Sequence, residues 1–355
     1  MSRRTPLTAL GVSVAAVLVA SGPALAQAPT QTLLPNDVVT YSLGSSATEM
    51  QRIAAYWTPE RLRQASTYVP SSKPSRGAKA TPSVAEVAPA SAKAVPDKKK
   101  AAKKDPNQPP MVGKVFFKLG TKEYWCSGSV VHSKNRNLVA TAGHCGYSLA
   151  QNRTVENWIF IPSYANGSTD AGIYVGHTLF LHLDYPGKGD FDRDYAFVTV
   201  NRGFTWKTTS GGYQRTDVGR LEDKVGAFRF TATKGTSLAV NAFGYPAGAH
   251  PDGSRPYNGQ TVRPCSGVTD RKYVTAPTYL LSHGVLLRSC GFTAGASGGP
   301  WVLNYNQARQ TGFINGVTSL TWNVNGDGKL DAISTPYFNA VTQRVYAEAA
   351  KQATG

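Results

Sequence analysis

The sequence has little charge for its length: only 17% of its 355 residues are Asp, Glu, Lys or Arg, against about 25% in an average globular chain. With 41% apolar residues, that balance excludes the charge-dominated composition of an intrinsically disordered protein. Cysteine is scarce as well. The four present fall in no Cys-x-x-Cys or His-rich spacing, which excludes a zinc-binding module. Glycine and proline, at 35 and 22 residues, stay far below collagen-like or low-complexity levels but imply many turns. Past the N-terminus no apolar run approaches the roughly 20 residues that span a bilayer, so a multi-spanning membrane protein is excluded. Neither an internal repeat nor a nucleic-acid-binding motif is present.

The one long apolar run, Ala9 to Ala20, follows Arg3 and Arg4 and precedes Ala24-Leu25-Ala26. A basic start, a short apolar stretch and a small-x-small triplet predict a secretory signal peptide over residues 1–26. Export to an oxidising compartment makes two disulfides the economical reading of Cys126, Cys145, Cys265 and Cys290.

The formal charge is +17, with +8 in residues 1–110 and +9 in the remainder. The first share is concentrated in an Ala/Pro/Lys-rich stretch, residues 71–110, that holds Lys93, Lys98, Lys99, Lys100, Lys103 and Lys104. It lacks the apolar periodicity of a core and any interleaved aromatic residue for base stacking, and is expected to be a partly disordered, solvated linker rather than a nucleic-acid arm. Before it, residues 27–70 carry a candidate short helix from Glu49 to Tyr68, with Met50, Ile53, Ala54, Tyr56 and Trp57 as its apolar positions and Pro59 interrupting it. So small a segment cannot bury a core of its own, and is expected to be a propeptide that docks on something else.

From Met111 onward the texture changes to short apolar runs separated by Gly, Asn, Asp and Pro. Gly113–Leu119, Tyr124–Val131, Leu138–Ala142, Trp158–Ile161, Tyr195–Val200, Ala227–Thr231, Leu238–Phe243, Trp301–Leu303 and Gly312–Val317 read as strands. Many short strands without alternating helices predict an all-β sandwich or barrel over residues 111–355. A final helix opened by Pro336, with Phe338, Val341, Val345, Tyr346 and Ala349 on one face, is expected to pack against it.

Three points in this region carry chemistry. In Gly295-Ala296-Ser297-Gly298-Gly299-Pro300 a serine sits in a glycine-rich turn, where backbone N–H groups can converge on a reacting oxygen. In Thr141-Ala142-Gly143-His144-Cys145 an imidazole follows a strand, and Cys145 can tether its turn to Cys126. Asp194 opens the apolar run Tyr195–Val200, so its carboxylate can enter a buried strand end and orient a histidine. Asp190 and Asp192 compete for that role. The other histidines, His132, His177, His182, His250 and His283, have no ligand-like spacing. Asn323 to Asp331 resembles the start of a calcium loop, but Ser334 stands where a bidentate carboxylate is needed, so a plain hairpin and no metal are expected.

TAGHC, then DYAFV, then GASGGP, in the order His, Asp, Ser, resemble the trypsin-like serine endopeptidases of the chymotrypsin fold, over the chain from about Val112 to its end. The secreted bacterial type, nearest the V8-like or glutamyl-endopeptidase branch, is the closer likeness. The resemblance implies two six-stranded antiparallel β-barrels with a C-terminal helix. It makes Ser297 the nucleophile, His144 the general base, Asp194 the orienting acid, and the Gly295 and Ser297 N–H groups the oxyanion hole. It also implies a Cys265–Cys290 disulfide supporting that turn. The animal digestive enzymes carry Asp directly before the serine; Ala296 stands there in this chain, so activation by pairing a new N-terminal ammonium with that carboxylate is not expected. Gly291, in place of trypsin's aspartate, disfavours Arg or Lys before the cut, and Thr318, in place of a histidine, disfavours Glu. Apolar or small side chains remain, with Phe292, Thr293 and Ser319 as further candidate lining residues. Expected partners are polypeptide substrates and the chain's own propeptide, with no cofactor, nucleic acid or membrane after signal removal, and a monomeric state. The rival reading is a secreted binding protein or adhesin that keeps the fold without the activity; a third, an esterase using the same triad, is disfavoured because the serine turn has no α/β context to make it a nucleophile elbow.

Overall fold

The computed structural model describes residues 30–69, 108–210 and 212–354. The expected signal peptide and nearly all of the lysine-rich linker lie outside the described residues.

The N-terminal part is a hairpin of β1 (Gln31–Leu34) and β2 (Val38–Ser42), then α1 (Ala47–Tyr56), α2 (Pro59–Gln64) and the two-residue strand β3 (Ser66–Thr67). Where the sequence suggested one helix interrupted by Pro59, there are two. Ser46 caps α1 in a capping box with Glu49, and Pro59 opens α2 at a position where its missing N–H costs nothing.

The first barrel contains β4 (Val112–Leu119), β5 (Lys122–Val130), β6 (Leu138–Thr141), β9 (Glu156–Pro162), β10 (Tyr174–His182) and β11 (Ala196–Val200), with a small hairpin, β7 (Tyr147–Ser148) and β8 (Arg153–Thr154), on its wall. Antiparallel pairs run β4–β5–β6–β11–β10–β9 and back to β4, closing the ring; β6 pairs with β5 only at Ser129 and Val130, which leaves the start of β5 open on that side. The β4–β5 turn is tight because Gly120 takes φ +65°. Short helices α3 (Asp184–Lys188) and α4 (Leu221–Val225) and the ribbon β12 (Gly203–Thr209) with β13 (Gly212–Gly219) decorate the connections.

The second unit is a half-barrel of two sheets. One is β14 (Arg229–Phe230), β20 (Thr311–Val317), β19 (Pro300–Asn306), β15 (Ala239–Gly244) and β16 (Arg263–Val268); the other is β17 (Val274–Ala276), β18 (Leu281–Arg288), β22 (Ala332–Pro336) and β21 (Leu320–Trp322). The final helix, α5 (Ala340–Lys351), begins four residues after Pro336, which ends β22 instead of opening the helix. Asn339 supplies the cap, accepting from the N–H groups of Val341 and Thr342. This helix buries Thr342, Val345 and Ala349 and packs on β10 and β11, with Tyr346 stacked on Phe230 at 4.3 Å.

One buried cation stands out in the first barrel. Lys114 on β4 is 1% exposed, its Nζ 3.8 Å from the ring centre of Trp125 and 4.5 Å from that of Tyr164, with Phe116 and Tyr245 beyond. Ring faces attract the ammonium, but burial still holds its pKa well below the usual 10.5. Above that lowered value and below 10.5 the unfolded chain binds the proton more tightly than the fold, so stability is expected to rise with pH towards 10.5 and to fall as pH drops. Thermal melting between pH 7 and 10 checks this: Lys114→Met should flatten the rise, and identical profiles would contradict it.

Candidate active site

The histidine turn follows directly from β6. A one-turn 3-10 helix, Gly143–Cys145, carries His144, and the Cys126–Cys145 disulfide staples it to β5. Asp194, at the entry to β11, is 0% exposed. Its Oδ1 accepts the His144 backbone N–H at 2.8 Å and its Oδ2 faces His144 Nδ1 at 2.9 Å. Oδ2 also accepts Ser319 Oγ–H at 2.5 Å, from the segment joining β20 to β21. Three donors fix this buried side chain in place, and its contact with Nδ1 sets the tautomer in which Nδ1 carries the proton and Nε2 is left as the acceptor. The rival aspartates are engaged elsewhere: Asp192 holds His283 Nδ1 at 2.8 Å, and Asp190 caps its own short turn.

Ser297 lies on the turn before β19, 7% exposed. This turn is docked against the histidine turn: the Gly298 backbone lies against Thr141 Oγ1 and the Ala142 backbone. Gly298 N–H donates to Thr318 O at 2.7 Å and Thr318 N–H to Gly299 O at 2.9 Å, tying the turn to β20. Gly295 takes φ +99°, and a Cβ there would sit 2.5 Å from Tyr245 O, so only glycine fits. Among the described residues neither the Gly295 nor the Ser297 N–H donates a hydrogen bond, and both remain available to an incoming anion. His144 Nε2 is buried with no hydrogen-bond partner, Ser297 Oγ included.

Sequence reasoning passed over the residue that joins these pieces. Ser127 Oγ accepts Tyr245 N–H at 2.8 Å and donates to Gly295 O at 2.8 Å, while Ser127 N–H donates to Ser297 O at 2.7 Å and Ser127 O accepts Thr141 Oγ1–H at 2.8 Å. It therefore ties β5 to the serine turn, to the second unit and to the strand before His144. Its only sequence signal was its place directly after Cys126.

The candidate lining residues separate. Gly291 lies near Leu330 O, Tyr257 and His250. Phe292 is 1% exposed and packs edge-on to Tyr257 in the second core, so its side chain is structural. Thr318 Oγ1 accepts Trp301 Nε1–H at 3.0 Å, and Ser319 is spent on Asp194. Thr293 Oγ1 is buried with no hydrogen-bond partner. The second disulfide joins Cys265 to Cys290 one residue before Gly291.

Among the described residues the one trio with metal-ligand atoms clustered is Cys126, His144 and Cys145, and its sulfurs are already bonded to each other, which removes the thiolates a metal needs. The Asn323–Asp331 loop uses its acids on itself: Asp331 accepts the Val324 and Asn325 N–H groups and Asp327 that of Lys329.

A family model for trypsin matches residues 100–342. Among solved structures, the protease Anisep from Arthrobacter nicotinovorans is similar at 28% identity and TM-score 0.55, covering 68% of this chain and 96% of its own. The thermostable serine protease AL20 from an extremophilic microorganism is similar at 28% identity and TM-score 0.55, covering 69% and 99%. No curated protein sequence matches. With the family model spanning about two thirds of the chain and the fold shared over the same region, the chain belongs to the trypsin family of serine endopeptidases, with the chymotrypsin-like fold.

Proposed function

We propose that the protein is a secreted endopeptidase, made as a precursor with a signal peptide and propeptide, that cuts polypeptides through an acyl-enzyme on Ser297. The buried Asp194–His144 pair is the observation that carries this reading, since it leaves Nε2 unpartnered as the base, on a turn whose preceding residues, Thr141 and Ala142, Gly298 packs against. Ser297 Oγ–H gives its proton to Nε2 as it attacks the scissile carbonyl, and the imidazolium returns it to the leaving amine. Gly295 and Ser297 N–H groups then hold the oxyanion. Water, deprotonated by the same nitrogen, releases the acyl group. The groups nearest Gly291, which are Leu330 O, Tyr257 OH and His250, include no carboxylate, which supports apolar or small residues before the cut over Arg or Lys.

Casein digestion by the processed protein tests the reading. Ser297→Ala is expected to abolish cleavage while leaving the melting temperature nearly unchanged, and the fragment termini of wild type report the specificity. A folded, processed wild type that leaves casein intact would favour the non-catalytic binding protein.

Ser127 acts through the oxyanion turn and is a positioning residue. Losing its hydroxyl leaves Gly295 O and Tyr245 N–H unpaired in the interior, a penalty of about 1–3 kcal/mol. Ser127→Ala is expected to lower kcat roughly ten-fold with KM little changed, and to weaken a peptide boronate by a similar factor. A lowered melting temperature with kcat and boronate affinity intact would make the role purely structural.

A further inference from the structure

Residues 30–69 are built into the catalytic unit. Strand β2 extends the barrel sheet by pairing Val38–Ser42 with β10. Val38, Val39, Ile53, Ala54, Trp57 and Leu62 are buried in the same core as the first barrel. Polar contacts reinforce this seat: Trp57 Nε1 donates to Asn157 O at 2.5 Å, Arg52 Nη1 to Asn157 Oδ1 at 2.9 Å, and Tyr56 OH to Glu123 at 2.6 Å.

From that anchor the chain runs into the site. Ser66 and Thr67 pair in parallel with Tyr124 and Trp125 of β5, the two residues before Cys126. Thr67 Cγ2 reaches the Gly295 turn, lying 3.1 Å from where a Cβ on Gly295 would stand. Tyr68, 8% exposed, fills the space beside the histidine: its ring centre is 6.1 Å from that of His144, 5.4 Å from Phe117 and 5.3 Å from Tyr124. Val69, the next residue, is 60% exposed. The two catalytic turns are thus covered from one side by two consecutive residues, and His144 is 1% exposed.

Resting on the reading of Ser297 as nucleophile, we propose that Thr67 and Tyr68 are a plug held by the 30–65 anchor, and that cutting the chain between residues 70 and 107 leaves the plug in place. The contacts just described all lie before Val69, so a cut in the connection leaves them in place. It removes the covalent tether, which turns docking of the segment from an intramolecular event into a bimolecular one. Activity then requires displacement or digestion of residues 30–69, and the interaction surface is the open edge of β5 together with the aromatic pocket beside His144.

Full-length protein labelled with a fluorophosphonate, before and after nicking by a lysine-specific protease in the Lys93–Lys104 run, tests this. The expected results are slow labelling of the intact chain, co-elution of the 30–69 segment with the nicked protein, and labelling that stays slow. Tyr68→Ala is expected to label at least ten-fold faster with its anchor still seated, and Tyr68→Phe to stay slow. Should Tyr68→Ala not fold, Trp57→Ala, which loosens the anchor, is expected to release the segment after nicking and speed labelling likewise. Intact wild type labelling as fast as these variants overturns the proposal, as does a nicked protein that labels fast with the segment still bound. If no form labels, including one stripped of the segment, the peptidase reading fails instead.

Discussion

Asp194→Asn is expected to fold like the wild type and to lose about 10⁴-fold in kcat, the scale on which such triads respond to losing their carboxylate charge. Asp194 accepts hydrogen bonds on both oxygens, from the His144 N–H and Nδ1–H and from Ser319 Oγ. An amide offers one oxygen. If that oxygen keeps the His144 N–H, the NH₂ faces Nδ1, which must then become the acceptor, leaving the proton on Nε2. A ring in that tautomer cannot take the Ser297 proton. Steady-state kinetics on a chromogenic peptide, with thermal melting alongside, separates this from misfolding: kcat within ten-fold of wild type would remove Asp194 from the mechanism.

Trp57→Ala is expected to destabilise the full-length chain by about 3–5 kcal/mol, the usual range for deleting a large buried aromatic side chain. The indole is 0% exposed, lies 5.7 Å from Phe116 of β4, and spends its N–H on Asn157 O. Truncation opens a cavity between the N-terminal segment and the barrel and strands that carbonyl. Urea unfolding in a Ser297→Ala background, where self-digestion is absent, measures it. A loss under ~1 kcal/mol, the level of an ordinary surface substitution, would mean that the segment contributes little to the precursor's stability.

Strands whose apolar runs stand alone in sequence, such as Leu138–Thr141 and Ala196–Val200, were legible because both faces are buried and the pattern is continuous. Some of those that escaped hide their burial. Strand β22 carries Ser334 and Thr335, polar residues buried and satisfied by Trp322 Nε1–H and Val317 N–H from neighbouring strands. The β12–β13 ribbon lies outside the barrels, and β13 is rich in polar residues. Asp194 could be picked out because it abuts an apolar run. Ser319 was read as a pocket residue because its bond to Asp194 spans 125 positions that no local pattern reveals. Tyr68 gave no signal for the same reason: its significance is its contact with His144, set by the docking of the whole N-terminal segment.

Intact-mass and peptide-map analysis of the protein, freed of residues 30–69 and treated with a fluorophosphonate, tests the central claim most directly. One adduct per chain, on Ser297 and absent from His144→Ala, is the expected result. An adduct on another residue, or an unmodified Ser297 in folded protein with its site uncovered, would contradict the serine mechanism.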